Sequence, residues 1–204
     1  MKSLSRALPL LLCLLANGVA AADALEVTVR RSFPGASDEE RRTRLDQDEV
    51  QALCSKHRNR PPADVAARIV ESQLQTIRYP EDGKLLGDWR AGEKLASIGT
   101  GGHIGRIQPD PADRKKGGNC YACHTLAKKE VAAGNLGPSL TGIGTVRGNG
   151  PEAVRYTYQK IFNAQAFFPC SSMPRFGHSG WLTPQEIADA VAFLLDPESP
   201  VNKD

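Results

Sequence analysis

The chain has 204 residues, of which 40% are hydrophobic and 24% are charged, and its formal net charge at pH 7 is +3. This composition is that of an ordinary soluble globular protein with enough apolar residues for one core. So small a net charge provides no electrostatic footprint for nucleic-acid binding.

Residues 1–22 are predicted to be a signal peptide. Lys2 and Arg6 form a positive start, residues 7–16 form a short apolar core, and residues 19–22 are small enough for cleavage. The core is too short to remain as a membrane anchor. We therefore expect cleavage near Ala22, a periplasmic mature chain, and a formal net charge that falls from +3 to +1 with the loss of the two basic residues.

Cys13 lies inside this apolar core and is preceded by Leu12, which is a poor residue for a lipoprotein cleavage site. We therefore expect Cys13 to be removed with the signal, so that the mature chain keeps four cysteines. No apolar stretch after the signal is long enough to cross a membrane, and no membrane span is expected.

Residues 23–84 are predicted to form an N-terminal helical extension. Residues 26–34 have the pattern of a short extended arm. Residues 37–58 are charged with a sparse apolar stripe and are predicted to form one helix, with Ser37 as N-cap and Glu40 three residues on. Residues 63–78 have apolar positions at helical spacing and predict a second helix.

Residues 85–204 are predicted to form a second domain, made of helices joined by loops rich in Gly and Pro. Helices are expected over residues 88–98 and 152–165, and a last helix begins with Thr183 as N-cap and Glu186 completing a capping box. No strand pattern competes, so the predicted fold class is all-α.

The run Cys120-Tyr121-Ala122-Cys123-His124 has the spacing of a covalent haem attachment site. Two thiols at this spacing can add to the vinyl groups of haem, and the adjacent imidazole can bind the iron. Three other interpretations stay open at this point. The cysteines could form a structural disulfide, a thioredoxin-like redox pair within a βαβ unit, or part of a zinc site, although no second ligand pair follows.

Cys54 and Cys170 are the remaining cysteines of the mature chain. In an oxidising compartment two left-over cysteines most often pair, and we expect a disulfide between them. A bridge across so long a loop contributes about 4–5 kcal/mol in the chain-entropy model. A reactive thiol is the alternative, but nothing near either residue indicates thiolate activation.

Met173 is the only methionine left after the loss of Met1, and it lies in a loop just before the last helix. A methionine more often fills a core gap than binds a metal. The haem motif upstream favours Met173 as the second axial ligand, with His178 as its rival, while His57 and His103 fit surface or packing positions. A thioether opposite an imidazole fills both axial positions and raises the reduction potential.

Three stretches resemble the class I cytochromes c: residues 88–94 (DWRAGEK), Gly117-Gly118-Asn119 leading into the haem motif, and residues 134–140 (GNLGPSL). More narrowly, these stretches, with residues 173–177 (MPRFG) and 182–189 (LTPQEIAD), are similar to the SoxX family, the mono-haem subunits of the SoxAX complexes of bacterial thiosulfate oxidation. The resemblance covers about residues 85–200.

The resemblance implies one haem c bound covalently by Cys120 and Cys123, with His124 and Met173 as axial iron ligands. It also implies that the carbonyl of Pro138 accepts the Nδ1–H of His124. In that family the subunit pairs with a SoxA-like haem protein, and the heterodimer conjugates thiosulfate oxidatively to a cysteine of a SoxYZ-like carrier (an L-cysteine S-thiosulfotransferase). The SoxX-like chain itself accepts the electrons and passes them to a small cytochrome.

Two other functions stay open from the residues. A free-standing periplasmic electron carrier for an oxidase or dehydrogenase needs little beyond residues 85–204, and a ligand-binding haem sensor needs an open sixth iron position. Arg114, Lys115 and Lys116 before the haem motif are either a docking patch or a solvated charge run. If Cys54 and Cys170 pair, the extension is joined to the loop that contains Met173.

Overall fold

The structure, a computed structural model, describes residues 24, 26–38, 41–42, 45–99 and 115–203. The predicted signal peptide, Glu40, His103 and Arg114 lie outside these residues. The chain divides into two compact units, and the second contains residues 47–102 and 110–204. Since this unit holds parts of both predicted domains, the boundary at residue 84 stays a sequence-based prediction.

In the first unit, residues 26–32 are helical, so the predicted extended arm over residues 26–34 is wrong. Hydrogen bonds at helical spacing hold this segment as a helix. Glu26 pairs with Arg30 at 2.8 Å, and the hydroxyl of Ser32 donates to the carbonyl of Thr28 at 2.9 Å. Strand propensity is a weak guide where no neighbouring strand is present to pair with.

The predicted single helix over residues 37–58 is also wrong, because residues 45–48 are not helical. A new helix, α1, begins after Asp48 and spans Glu49–Lys56. Asp48 accepts from the backbone N–H of Gln51, and the Gln51 side chain accepts from the N–H of Asp48, which completes a capping box. This capping box begins a new helix inside the segment that was predicted to be a single helix.

Four of the other helices lie close to their predicted positions, whereas the short helix Ile143–Arg147 falls in a segment that was expected to be a loop rich in Gly and Pro. No strand occurs in the described residues, so the all-α fold class is confirmed. The other described helices are α2 (Ala63–Leu74), α3 (Trp89–Ser97), α4 (Ile143–Arg147), α5 (Pro151–Phe162) and α6 (Pro184–Leu195), with short 3₁₀ turns at Cys120–Ala122 and Ala164–Ala166.

The core of the second unit is built on α6, which packs against α3, α4 and α5. The predicted capping box of Thr183 and Glu186 begins α6. Helices α3 and α6 cross at Gly92, where an added Cβ would lie 2.0 Å from the carbonyl oxygen of Asp189. The glycine therefore allows the two helix backbones to approach closely.

The segment after α2 joins the extension to α5. The buried Tyr158 hydroxyl donates to the carbonyl of Arg78 at 2.7 Å, and the Tyr158 ring stacks on Tyr79 with 5.5 Å between centroids.

A small apolar cluster joins α1 to α2. It consists of Val50, Cys54, Val65 and Ile69, with Leu53 and Cys170 packed against it.

Cys54 of α1 and Cys170 form a disulfide, with 5.4 Å between their Cα atoms and a separation of 116 positions in sequence. Among the residues that the structure describes, no helix has the length and apolar character needed to cross a membrane.

Candidate functional site

The haem motif folds as a tight turn in which Cys120–Ala122 is a 3₁₀ helix. The backbone N–H of His124 donates to the carbonyl of Cys120 at 2.9 Å, so the histidine follows the two cysteines without leaving the turn. Asn119 precedes the turn with φ of 45°. This left-handed conformation is one that asparagine tolerates better than most residues.

Both thiols of the motif are free, although they are only three positions apart in sequence. Burial raises the pKa of the Cys120 thiol to about 11, so this sulfur is protonated at neutral pH in the folded chain without haem. The thioredoxin-like alternative lacks its βαβ unit in the described residues. The zinc alternative lacks partners, since the described part of the chain holds no cluster of three metal-ligating side chains.

The imidazole of His124 is oriented by Pro138. Nδ1 lies 2.7 Å from the carbonyl oxygen of Pro138, and a carbonyl can only accept a hydrogen bond. Nδ1 must therefore carry the proton. In the neutral ring this leaves the lone pair on Nε2, which is the nitrogen free to bind a metal.

Gly137 makes room for this ring. A Cβ at position 137 would lie 2.2 Å from Cε1 and 2.5 Å from Nδ1 of His124, far inside van der Waals contact. The N–H of Gly137 also donates to the carbonyl of Cys123 at 2.8 Å, which fixes the glycine beside the motif. Two free thiols and an oriented imidazole in one turn are the groups that fit covalently bound haem.

Met173 is partly buried and packs against the main core cluster. It follows Cys170, which has a left-handed backbone with φ of 62°, and its own N–H donates to the Ser171 hydroxyl at 3.2 Å. Pro174 comes next and restricts the backbone of Met173 to extended conformations. The side chain therefore projects from a short, turned segment between the disulfide and α6.

Arg175, two residues after Met173, makes contacts that the sequence did not indicate. Its Nη2 forms an ion pair with the carboxylate of Asp48, and its Nη1 donates to Oε1 of Gln73 at 3.1 Å. Gln73 is 5% exposed, and the same oxygen accepts from Nδ2 of Asn163 at 3.0 Å. No single stretch of sequence could indicate this set, because its members come from α1, α2, the end of α5 and the Met173 loop.

The rival ligand His178 faces the same carboxylate, with Nε2 3.9 Å from Asp48. Burial lowers the pKa of His178, the positive charge of Arg175 lowers this pKa further, and Asp48 opposes both effects.

Among the basic residues before the haem motif, Lys116 lies over the ring of Trp181, with Nζ 5.1 Å from its centroid.

Comparison with known proteins agrees with this arrangement. Residues 88–196, more than half of the chain, match the sequence profile of the family described as "Cytochrome c". A protein of Aquifex aeolicus (strain VF5) named "Uncharacterized lipoprotein" is 46% identical over 158 residues, which cover 77% of this chain and 73% of that protein. The chain belongs to the cytochrome c family, and is therefore an electron-transfer protein with covalently attached haem c.

Proposed function

We propose that this chain is a periplasmic mono-haem cytochrome, the electron-accepting subunit of a SoxAX-type complex that conjugates thiosulfate to a carrier-protein cysteine. The assignment of the haem site is supported by the tight turn that contains Cys120, Cys123 and His124. In this turn Nδ1 of His124 donates to the Pro138 carbonyl. The narrower assignment to a SoxAX-type complex rests on the stretches of sequence quoted above. Its partners are a SoxA-like haem subunit, a SoxYZ-like carrier and a small cytochrome.

Four residues of the chain are proposed to hold the haem. Cys120 and Cys123 would attach it by thioether bonds, and Nε2 of His124 and the thioether of Met173 would be its two iron ligands from the protein. When bound, haem supplies a one-electron couple. The Pro138 carbonyl orients the imidazole and strengthens it as a donor, since a hydrogen bond at one ring nitrogen raises the basicity of the other.

This ligand set favours electron transfer over ligand binding. With Met173 and His124 both holding the iron, a small molecule would have to displace one of these side chains before it could bind. The other residues of the chain would then serve to hold the two side chains in place and to exclude water. Substrate chemistry belongs to the partner subunit, which is why no catalytic residue is assigned in this chain.

Export is supported by two observations. The first 22 residues have the pattern of a cleavable signal, and the relative from Aquifex aeolicus is named a lipoprotein, a class of exported proteins. We propose cleavage near Ala22 rather than lipid attachment at Cys13. The intact mass of the chain from an exporting host tests this: a diacylglyceryl group on an N-terminal Cys13 would overturn it.

The haem assignment is tested on the purified chain. We expect one haem per chain by haem assay, its retention under denaturing electrophoresis, and loss of attachment when both Cys120 and Cys123 are changed to Ser. A ferric His/Met haem has a weak long-wavelength charge-transfer band, which Met173→Ala should abolish while His57→Ala keeps it. If the wild-type protein lacks the band, Met173 is not the ligand.

The complex is tested by purification from the native cells and by kinetics. We expect a second haem-bearing chain in equal amount, and thiosulfate should reduce the haem of this chain only when that partner and a carrier protein are present. Reduction that needs neither, or a chain that purifies alone and exchanges electrons directly with an oxidase, would instead support the free-standing carrier.

A further inference from the structure

The segment that contains Met173 is fixed to the N-terminal extension on both of its sides. Before Met173, Cys170 is joined by the disulfide to Cys54 of α1. After it, Arg175 forms its ion pair with Asp48 and its hydrogen bond to Gln73. Only four residues separate the two fixed positions, so Met173 lies on a short span with both ends attached.

The second attachment is strong because the Arg175 side chain is largely buried. Its side chain is 12% exposed, whereas that of Asp48 is 41% exposed. A largely buried charge is costly unless it is paired and hydrogen-bonded, so removal of its partner penalises the position that Arg175 now occupies. The planar guanidinium donates to two separate acceptors. Two such bonds fix its orientation, whereas a single bond would not.

Both acceptors belong to rigid parts of the fold. Asp48 is the N-cap of α1, and its other carboxylate oxygen accepts from the Gln51 N–H at 2.8 Å. Gln73 is a buried residue in the last turn of α2, and its Oε1 is shared with Asn163. Because Cys54 also lies on α1, this helix holds the segment on both sides of Met173, and α2 adds a contact on the Arg175 side.

We propose that Asp48 and Arg175 are positioning residues: with the Cys54–Cys170 disulfide, their ion pair keeps the Met173 segment in place and hinders displacement of its thioether from the iron. This inference rests on the proposed role of Met173 as distal ligand. It gives the extension a function that the family resemblance did not supply. Residues 47–76 are a support for the ligand segment.

The chain offers variants that separate this role from general stability. Asp48→Asn removes the charge but keeps a good N-cap, because asparagine accepts the same bond from Gln51. Arg175→Gln removes the cation, and Arg175→Lys keeps the charge but loses the two-acceptor geometry. Arg68→Gln is the matched control, since Arg68 pairs with Asp64 at 3.0 Å on the exposed face of α2, away from this segment.

The test is a titration of the ferric holoprotein with imidazole, followed by the loss of the long-wavelength thioether band. We expect Asp48→Asn and Arg175→Gln to bind imidazole roughly three- to tenfold more tightly than wild type, as removal of a partly buried charged hydrogen bond implies. Arg175→Lys should lie between them and wild type, and Arg68→Gln should match wild type. If Arg175→Gln yields no folded holoprotein, the nearly isosteric Asp48→Asn decides alone.

A purely structural role has a different signature. It would lower the denaturation midpoint of both variants and leave imidazole affinity unchanged, and that result overturns the positioning role while the haem assignment stands. If Met173→Ala does not alter the spectrum, the proposed ligand is wrong and the positioning role is lost with it. The two failures are therefore separated by one Met173 variant measured in the same titration.

Discussion

Gly137 lies against the imidazole of His124 so closely that a Cβ at this position would be 2.2 Å from Cε1 of the ring. Glycine is required at this position because any side chain here would collide with the ring. The next residue, Pro138, supplies the carbonyl that binds Nδ1 of the same ring at 2.7 Å. Two consecutive residues thus determine where the ring lies and which of its nitrogens carries the proton.

Gly137→Ala should displace the ring and break its bond to Pro138. Loss of such an orienting bond typically weakens metal binding by about 10–100-fold. We therefore expect a holoprotein whose His124 is displaced from the iron at least about tenfold more readily by imidazole or acid, as measured from the haem absorption spectrum.

Gly150→Ala is the matched control, since an added Cβ there meets nothing within 4 Å. It should leave the spectrum and the imidazole titration unchanged. A Gly137→Ala protein that behaves like this control would contradict the spatial argument.

Replacement of Cys54 and Cys170 by Ser should destabilise the fold substantially. The bridge spans 116 residues, and closure of a loop of this length contributes about 4–5 kcal/mol in the chain-entropy model. We expect the free energy of unfolding in denaturant to fall by up to that amount. Reductant should lower the wild-type value in the same way and leave the double variant unchanged.

Mass mapping of a non-reduced digest is the direct control for this experiment. It should contain a peptide pair that joins Cys54 to Cys170. Absence of that pair, with both thiols open to alkylation in the native protein, would remove the basis for the expected loss.

His178 should make the stability of the protein depend on pH. Burial and the charge of Arg175 lower its pKa in the folded state, against the opposing effect of Asp48. Between the folded pKa and the unfolded value of about 6.5, the unfolded chain binds more protons. The contribution of neutral His178 is therefore present above the unfolded pKa and is lost as pH falls through the folded pKa.

We expect the free energy of unfolding to decrease below about pH 6.5 more steeply in wild type than in His178→Gln, as measured by denaturant unfolding across this range. Equal slopes in wild type and His178→Gln would mean that the folded state does not disfavour the charged ring.

Gly92→Ala should weaken the packing of α3 against α6. The added Cβ would lie 2.0 Å from the Asp189 carbonyl oxygen and 2.8 Å from Cβ of Phe193, so the helices must move apart. Overpacking of this kind typically costs about 1–3 kcal/mol. Thermal or denaturant unfolding should show the loss. Gly35→Ala, where an added Cβ meets nothing within 4 Å, is the control that should stay near wild type.

Much of the fold could be predicted from the sequence where the signals are local. The Thr183–Glu186 box marks the start of α6, and apolar residues at helical spacing form the buried face of α5 (Val154, Tyr158, Ile161, Phe162). Predictions failed near the N-terminus, where periodicity was weak. There the Asp48–Gln51 box divides one predicted helix, and hydrogen bonds at helical spacing replace the expected extended arm.

The sequence by itself determined the haem motif, because Cys120, Cys123 and His124 lie within five consecutive residues and need only one turn to come together. It also limited the candidate thioether ligands, since Met1 and Met173 are the two methionines of the chain. Only the tertiary structure decided what surrounds these residues. The contact between Gly137 and the His124 ring depends on how two loops pack, and the ion pair of Asp48 with Arg175 spans 127 positions. Contacts at such separation follow from the packing of the whole chain, and no local pattern encodes them.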